Sequence, residues 1–176
     1  MTGTTRAIDA WPAVLAVLCV AASGCGKGAV VDHKSTSLTS IVDTLRSAER
    51  LNRSTIEVAI GAPLAQTSEN GSFTFFEGHD VTLSDATIGL VDYREPRAGG
   101  NATAGALLTL TLTRGCPARA QVEHRYGPLS VAGVPRGRSL DEETQLARPE
   151  PWGRLSFGFA ERTPTCLTSI TFSHDR

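Results

Sequence analysis

Residues 54–63, Ser-Thr-Ile-Glu-Val-Ala-Ile-Gly-Ala-Pro, followed at 69–76 by Glu-Asn-Gly-Ser-Phe-Thr-Phe-Phe, decide how this chain folds. Ser54 and Glu57 have the spacing of a capping box, in which the hydroxyl accepts from the third backbone amide and the carboxylate reaches back. Gly61 stands where a left-handed residue ends a helix, and Pro63 prevents continuation. Residues 55–60 therefore read as a very short helix, punctuated at both ends. Asn70-Gly71 is a turn signal. Phe73-Thr74-Phe75-Phe76 then has the aromatic composition and alternation of a strand. A helical period thus gives way to a strand period within some twenty residues.

The pattern extends in both directions. Upstream, Leu38, Ile41, Val42, Leu45 and Ala48 make one apolar stripe on a helix over 37–51. Downstream, residues 86–93 form a strand, and Pro96 to Thr103 a loop rich in Gly and Ala. Residues 105–113 give the clearest strand, with Ala106, Leu108, Leu110 and Leu112 on one side and Thr109, Thr111 and Thr113 on the other. Pro117 and Gly127 bracket another helix, on which Val122 and Tyr126 share a face. Prolines 135, 149 and 151 argue against a long regular element between Leu129 and Pro151, which reads as a long loop. Residues 154–159, where Leu155, Phe157 and Phe159 alternate with Arg154, Ser156 and Gly158, and residues 167–173 close the chain as strands.

These readings predict an α+β fold, with short helices packed on one face of an antiparallel sheet of five strands or more. Phe73, Phe75, Phe157, Phe159, Leu108, Leu110 and Ile170 are the expected core. Thr109, Thr111, Ser156 and Arg154 belong to the opposite face, which is solvated or used for binding. Two tandem helix-plus-sheet repeats, 37–94 and 105–173, are a further expectation: Ile56–Gly61 aligns with Val122–Gly127, Phe75 with Phe157, and Ile88 with Ile170. Against this, any two strands in phase agree at alternate positions.

The N-terminus has its own organisation. Arg6 precedes an apolar stretch from Trp11 to Ala22, too short to span a bilayer but suited to a signal peptide. Ala22-Ser23-Gly24-Cys25 resembles the lipobox of bacterial lipoproteins. That resemblance implies cleavage after residue 24 and lipid attachment, with palmitate among the acyl groups, at Cys25. Several acyl chains on one residue anchor far better than one, at ~0.8 kcal/mol per buried methylene. Gly26 rather than Asp after the cysteine implies, for a Gram-negative host, the periplasmic face of the outer membrane; for a Gram-positive host the address is the cell membrane. The expected organisation is a signal peptide (1–24), a tether (25–36) and one periplasmic domain (37–176). Gly24-Cys25-Gly26-Lys27-Gly28 lacks the leading Gly and the Ser or Thr of a phosphate loop and follows no strand. In an oxidising compartment, Cys116 and Cys166 are expected to form a disulfide.

Residues 54–76 also resemble the small outer-membrane assembly lipoproteins of the SmpA/OmlA type and the related beta-lactamase inhibitory protein units. The resemblance is carried by Thr55, Ile60, Gly61 and Pro63, then Phe73, Phe75 and Phe76. It implies a helical pair packed on an antiparallel sheet, and it fits both assembly and inhibition.

No catalytic, cofactor or metal set emerges from the sequence. His33, His79, His124 and His174 belong to no H-E-x-x-H pattern, and G-x-S-x-G is absent. A formal net charge of −1 gives no attraction to nucleic acid. The expected role is a non-enzymatic, lipid-anchored periplasmic protein that binds another protein, as an inhibitor or immunity protein of an envelope-targeting enzyme. The alternative is an outer-membrane assembly or envelope-maintenance lipoprotein. Arg136 and Arg138, beside the acidic run 141–143, and Trp152, between Pro151 and Gly153, are the candidate binding residues.

Overall fold

The computed structural model describes residues 36–99 and 105–175. The expected signal peptide, Cys25 and most of the expected tether lie outside the described residues. Helix α1 (Leu38–Ser47) opens on Ser37, whose hydroxyl accepts from the Ser40 amide at 3.2 Å, and it buries Leu38, Ile41, Val42 and Leu45. It stops before Ala48, four residues short of the expected end. Helix α2 (Arg53–Ile60) is capped by Asn52 and not by Ser54: Asn52 Oδ1 accepts from the Thr55 amide at 3.0 Å. Glu57 accepts instead from Arg53 Nε and from the Leu64 amide, both at 2.8 Å, tying the helix to the chain beyond Pro63. The Leu64 amide, and then Arg53, hold this carboxyl below the usual carboxylate range. Gly61 ends the helix at φ 66°, a conformation that costs glycine nothing.

Eight strands follow in one antiparallel sheet: β1 (Ala65–Glu69), β2 (Phe73–Thr82), β3 (Thr87–Pro96), β4 (Leu107–Arg114), β5 (Ser130–Gly133), β6 (Glu143–Glu150), β7 (Gly153–Ala160) and β8 (Ser169–His174). Helix α3 (Arg119–Tyr126) lies between β4 and β5. The spatial order is β1-β2-β3-β4-β8-β7-β6-β5, so β4 and β8 pair at the centre. The α+β expectation is therefore corrected. Strand makes up 45% of the described residues and helix 19%, which is a β-rich fold with three short helices.

The difference comes from strands that carry no apolar alternation. β1, Ala-Gln-Thr-Ser-Glu, is an exposed edge whose burial never alternates. β5 is only four residues long. β6 lies within the segment expected to be a long loop, and its Pro149 costs no ladder bond to β5, which pairs only with residues 145–147. Of that segment, residues 134–142 connect β5 to β6, and Pro151 begins the turn to β7.

The core runs across the sheet in directly opposed rows. Phe76, Tyr93, Leu108, Phe172 and Leu155 form one; Val91, Leu110, Ile170, Phe157 and Leu146 form the next. All ten are buried, together with the apolar stripes of the three helices. Phe157, Phe159, Leu108, Leu110 and Ile170 are buried as expected. Phe73 and Phe75 are not: they are half-buried on the other face, and Phe76 takes the core position. Two apolar phases coexist in Phe-Thr-Phe-Phe; Phe76 pairs with the buried Tyr93 and faces inward, whereas Val81, which shares the phase of Phe75, is buried beyond Asp80, where φ of 55° breaks the alternation. The alignment of Phe75 with Phe157 consequently joins residues on opposite faces of the sheet.

Cys116 and Cys166 form the expected disulfide, linking the segment that leaves β4 to the one that enters β8. Ala118 and Cys166 form a β-bridge beside it.

Candidate functional site

The three helices bury their apolar stripes in the core face of the sheet. Tyr126 of α3 stacks on Phe157 at 4.9 Å between ring centres. Arg119 lies over the Phe159 ring, and Arg53 of α2 over Phe76. The opposite face carries no helix among the described residues.

The register lays out that open face. One row is Phe75, Arg94, Leu107, Ser173 and Arg154; the next is Glu77, Asp92, Thr109, Thr171 and Ser156. A third begins with Leu90, Thr111 and Ser169. At ~4.8 Å between strands and ~7 Å between rows, the patch is on the order of 25 by 20 Å. Its centre is a carpet of hydroxyls, half-buried at Thr109, Thr111, Thr171 and Ser156, with Thr109 and Thr171 Oγ1 atoms 3.4 Å apart. Its β2 side is aromatic and cationic: the Phe73 and Phe75 rings lie 6.4 Å apart, and the exposed Arg94 guanidinium sits 5.9 Å over Phe75. Arg94 also pairs with Asp92 at 3.5 Å, and Arg154 is exposed. Thr109, Thr111, Ser156 and Arg154 thus stand where the alternation of β4 and β7 places them. Phe73, Phe75 and Arg94 were not foreseen here; the alternation of β3, with Tyr93 inward, is the signal that could have found Arg94.

The three candidate binding residues are not brought together. Arg136 and Arg138 are exposed on the loop before β6, where Glu142 accepts from the Arg136 amide. Trp152 follows β6, a strand length or about 25 Å away. It lies on the core side, stacked on His174 at 4.3 Å with the rings 12° apart, and on Phe172 at 6.0 Å. Its Nε1 donates to the Arg46 carbonyl at 2.9 Å, which ties the turn before β7 to the end of α1. Gly153 beside it has φ 141°, and a Cβ there would lie 2.1 Å from the Ser173 carbonyl oxygen. Trp152 borders a cleft of about 880 Å³ that also meets Asp43, Arg46, Glu49, Tyr126 and Glu150. Tyr126 donates to Asp43 Oδ1 at 3.3 Å; burial, and then the Asp43 charge, push its hydroxyl up to about 12.

The histidines do not converge. His79 is exposed on the open face, 3.5 Å from Glu77; His124 is exposed on α3; His33 lies outside the described residues. His174 is 8% exposed, and its Nε2 has no hydrogen-bond partner among the described residues. Burial lowers its pKa, a trend Asp175 partly offsets. The folded state therefore favours neutral His174, while the unfolded chain binds its proton near 6.5. Stability falls as pH drops below that value, because the unfolded state then holds more protons. Urea denaturation at pH 7 and pH 5 measures this loss, and His174→Gln is expected to reduce it. Among the described residues, no group of three or more His, Cys, Asp or Glu gathers as a metal site.

Comparison of the chain with known protein families, with curated proteins and with solved structures found no match.

Proposed function

We propose that this chain is an envelope lipoprotein, anchored through Cys25, that binds another protein with the open face of its sheet. Within that class it acts as an inhibitor or immunity protein of an envelope-targeting enzyme. The observation that carries the reading is the uncovered face itself. A specific contact needs ~800 Å² of surface on each partner, and a patch of this breadth is of that order. Hydroxyls at its centre offer both donors and acceptors. Phe75 and Arg94 belong to the residue types that dominate binding energy at interfaces. The anchor rests on residues 11–25 of the sequence. No helix among the described residues is long and apolar enough to cross a membrane.

Two measurements test the proposal. Affinity capture from the host envelope should return a stoichiometric enzyme whose activity falls on binding. The double variant Phe75→Ala/Arg94→Ala should then weaken that complex by ~30-fold or more, the scale of one interface hot spot. It should leave the melting temperature nearly unchanged, because both side chains lie off the core. Undiminished binding by the double variant would exclude the open face, and capture of barrel proteins alone would favour the assembly role. Mass spectrometry of the mature protein should find diacylglycerol on the Cys25 sulfur; a mature chain without acyl groups would refute the anchor.

A further inference from the structure

The cleft beside Trp152 is a separate feature, on the helix side of the sheet, and its chemistry is not that of the open face. We propose that it binds a neutral glycan, a chain of uncharged sugar rings. Its volume, about 880 Å³, accommodates a ligand of several rings.

Three groups make the recognition set. The first is the indole of Trp152. His174 and Phe172 brace it and its Nε1 is tied to Arg46, so the ring cannot turn away. What remains exposed of it borders the cleft. An aromatic ring held in one orientation gives the C–H-bearing face of a sugar an apolar surface at no further cost in side-chain entropy. The other two groups are Glu150 and Arg46. Glu150 Oε1 lies 2.7 Å from Arg46 Nε and 2.9 Å from Arg148 Nε. Its second oxygen accepts no hydrogen bond from a described residue, and neither terminal nitrogen of Arg46 donates one to a described residue. The Glu150 side chain is 5% exposed and that of Arg46 35%, so the two are fixed at the wall of the cleft. They offer a planar acceptor beside a planar donor, which two neighbouring sugar hydroxyls can satisfy together, since each hydroxyl both donates and accepts.

The charges favour no ionic ligand. Glu150 is matched by Arg46 and Arg148, and Asp43 by Arg125. Glu49 lines the cleft without an ion-pair partner among the described residues and offsets the second guanidinium on Glu150, so the charges around the cleft sum to zero and net charge favours neither an anion nor a cation. An uncharged ligand with many hydroxyls suits this balance of one aromatic surface and paired, partly unused polar groups.

The test is titration calorimetry of the purified full chain, in a zwitterionic detergent, with two neutral probes: tetra-N-acetylchitotetraose and maltotetraose. At least one should bind with a Kd on the order of 1 mM or tighter and change the Trp152 emission. Trp152→Ala should weaken binding by ~10-fold, and Trp152→Phe by less, since it keeps an aromatic face. Arg46→Lys keeps the ion pair with Glu150 but loses the planar fork, and should also weaken binding. If Trp152→Ala does not fold, the Phe and Lys variants carry the comparison. Failure of both probes to bind overturns the proposal. So does equal affinity in folded variants, which would locate any binding elsewhere. Because no residue of the open face is involved, loss of the protein-binding reading leaves this one standing, and the reverse holds as well.

Discussion

Phe157→Ala should lower the free energy of unfolding by about 3–5 kcal/mol, the range for deleting a large aromatic side chain from a core. It should lower the melting temperature by about 10–20 °C for a domain of this size. Phe157 is fully buried in β7, opposite Ile170 on β8 and Leu146 on β6, and Tyr126 of α3 stacks on it. It therefore holds three strands and a helix at one point. It also borders a space of about 520 Å³ between α1 and α3, lined with Val42, Val122, Tyr126 and Ile170. Removing the ring enlarges that space, and the sheet behind it is held by hydrogen bonds on both sides and cannot collapse to fill it. The cost is thus placed at the upper part of the range. Urea denaturation with an unchanged m-value is the measurement. A loss below about 1 kcal/mol would mean that the helices close over the gap. The contrast is Phe75→Ala, the same chemical change two residues into β2. It removes a half-buried ring from the outer face and should cost far less.

The second large effect is that of the disulfide. The double variant Cys116→Ser/Cys166→Ser should be less stable by roughly 2–4 kcal/mol, while keeping the same circular dichroism spectrum. The two cysteines are 50 residues apart in sequence. Closing a loop of that length restricts the unfolded chain by about 4 kcal/mol in the chain-entropy picture. In the native state the link adds little, since β4 and β8 already pair with one another over five residue pairs. The expected signature is a lower denaturation midpoint without loss of fold. Reduction of the wild-type protein should give the same shift. An unchanged midpoint would show that the unfolded chain is no freer without the link.

Much of the periodic structure could be read directly. The stripe Leu38, Ile41, Val42, Leu45 marks α1 because a helix buries residues three and four apart. Gly61 and Pro63 mark the end of α2. The alternation Leu108–Leu110 against Thr109–Thr111 marks β4, and with Ser156 and Arg154 it identified the open face. The expected bonds of the capping box were wrong in detail. Ser54 and Asn52 are both competent caps, and Asn52 is the one at which the helix begins. Glu57 was free to bond the chain beyond Pro63 because a carboxylate reaches whichever amide the tertiary path brings near.

The candidate site was legible only by halves. Its central hydroxyls follow from strand alternation. Its aromatic rim depends on the phase of Phe-Thr-Phe-Phe, which local pattern leaves open. Trp152, Arg136 and Arg138 look like neighbours along the chain, yet a strand separates them.

Local sequence determined the short helices, the cysteine pair and those strands with one apolar and one polar side, because each is a matter of period or spacing within a few residues. Tertiary structure alone decided the eight-stranded order, the edge strands β1 and β5, the choice of Phe76 over Phe75 for the core, and the cleft at Trp152. An edge strand is recruited by the hydrogen bonds its neighbour leaves unmet, a demand written in the neighbour and not in Ala-Gln-Thr-Ser-Glu. In the same way, the face a residue turns inward is set by the register of the strands beside it, which no single stretch of chain contains.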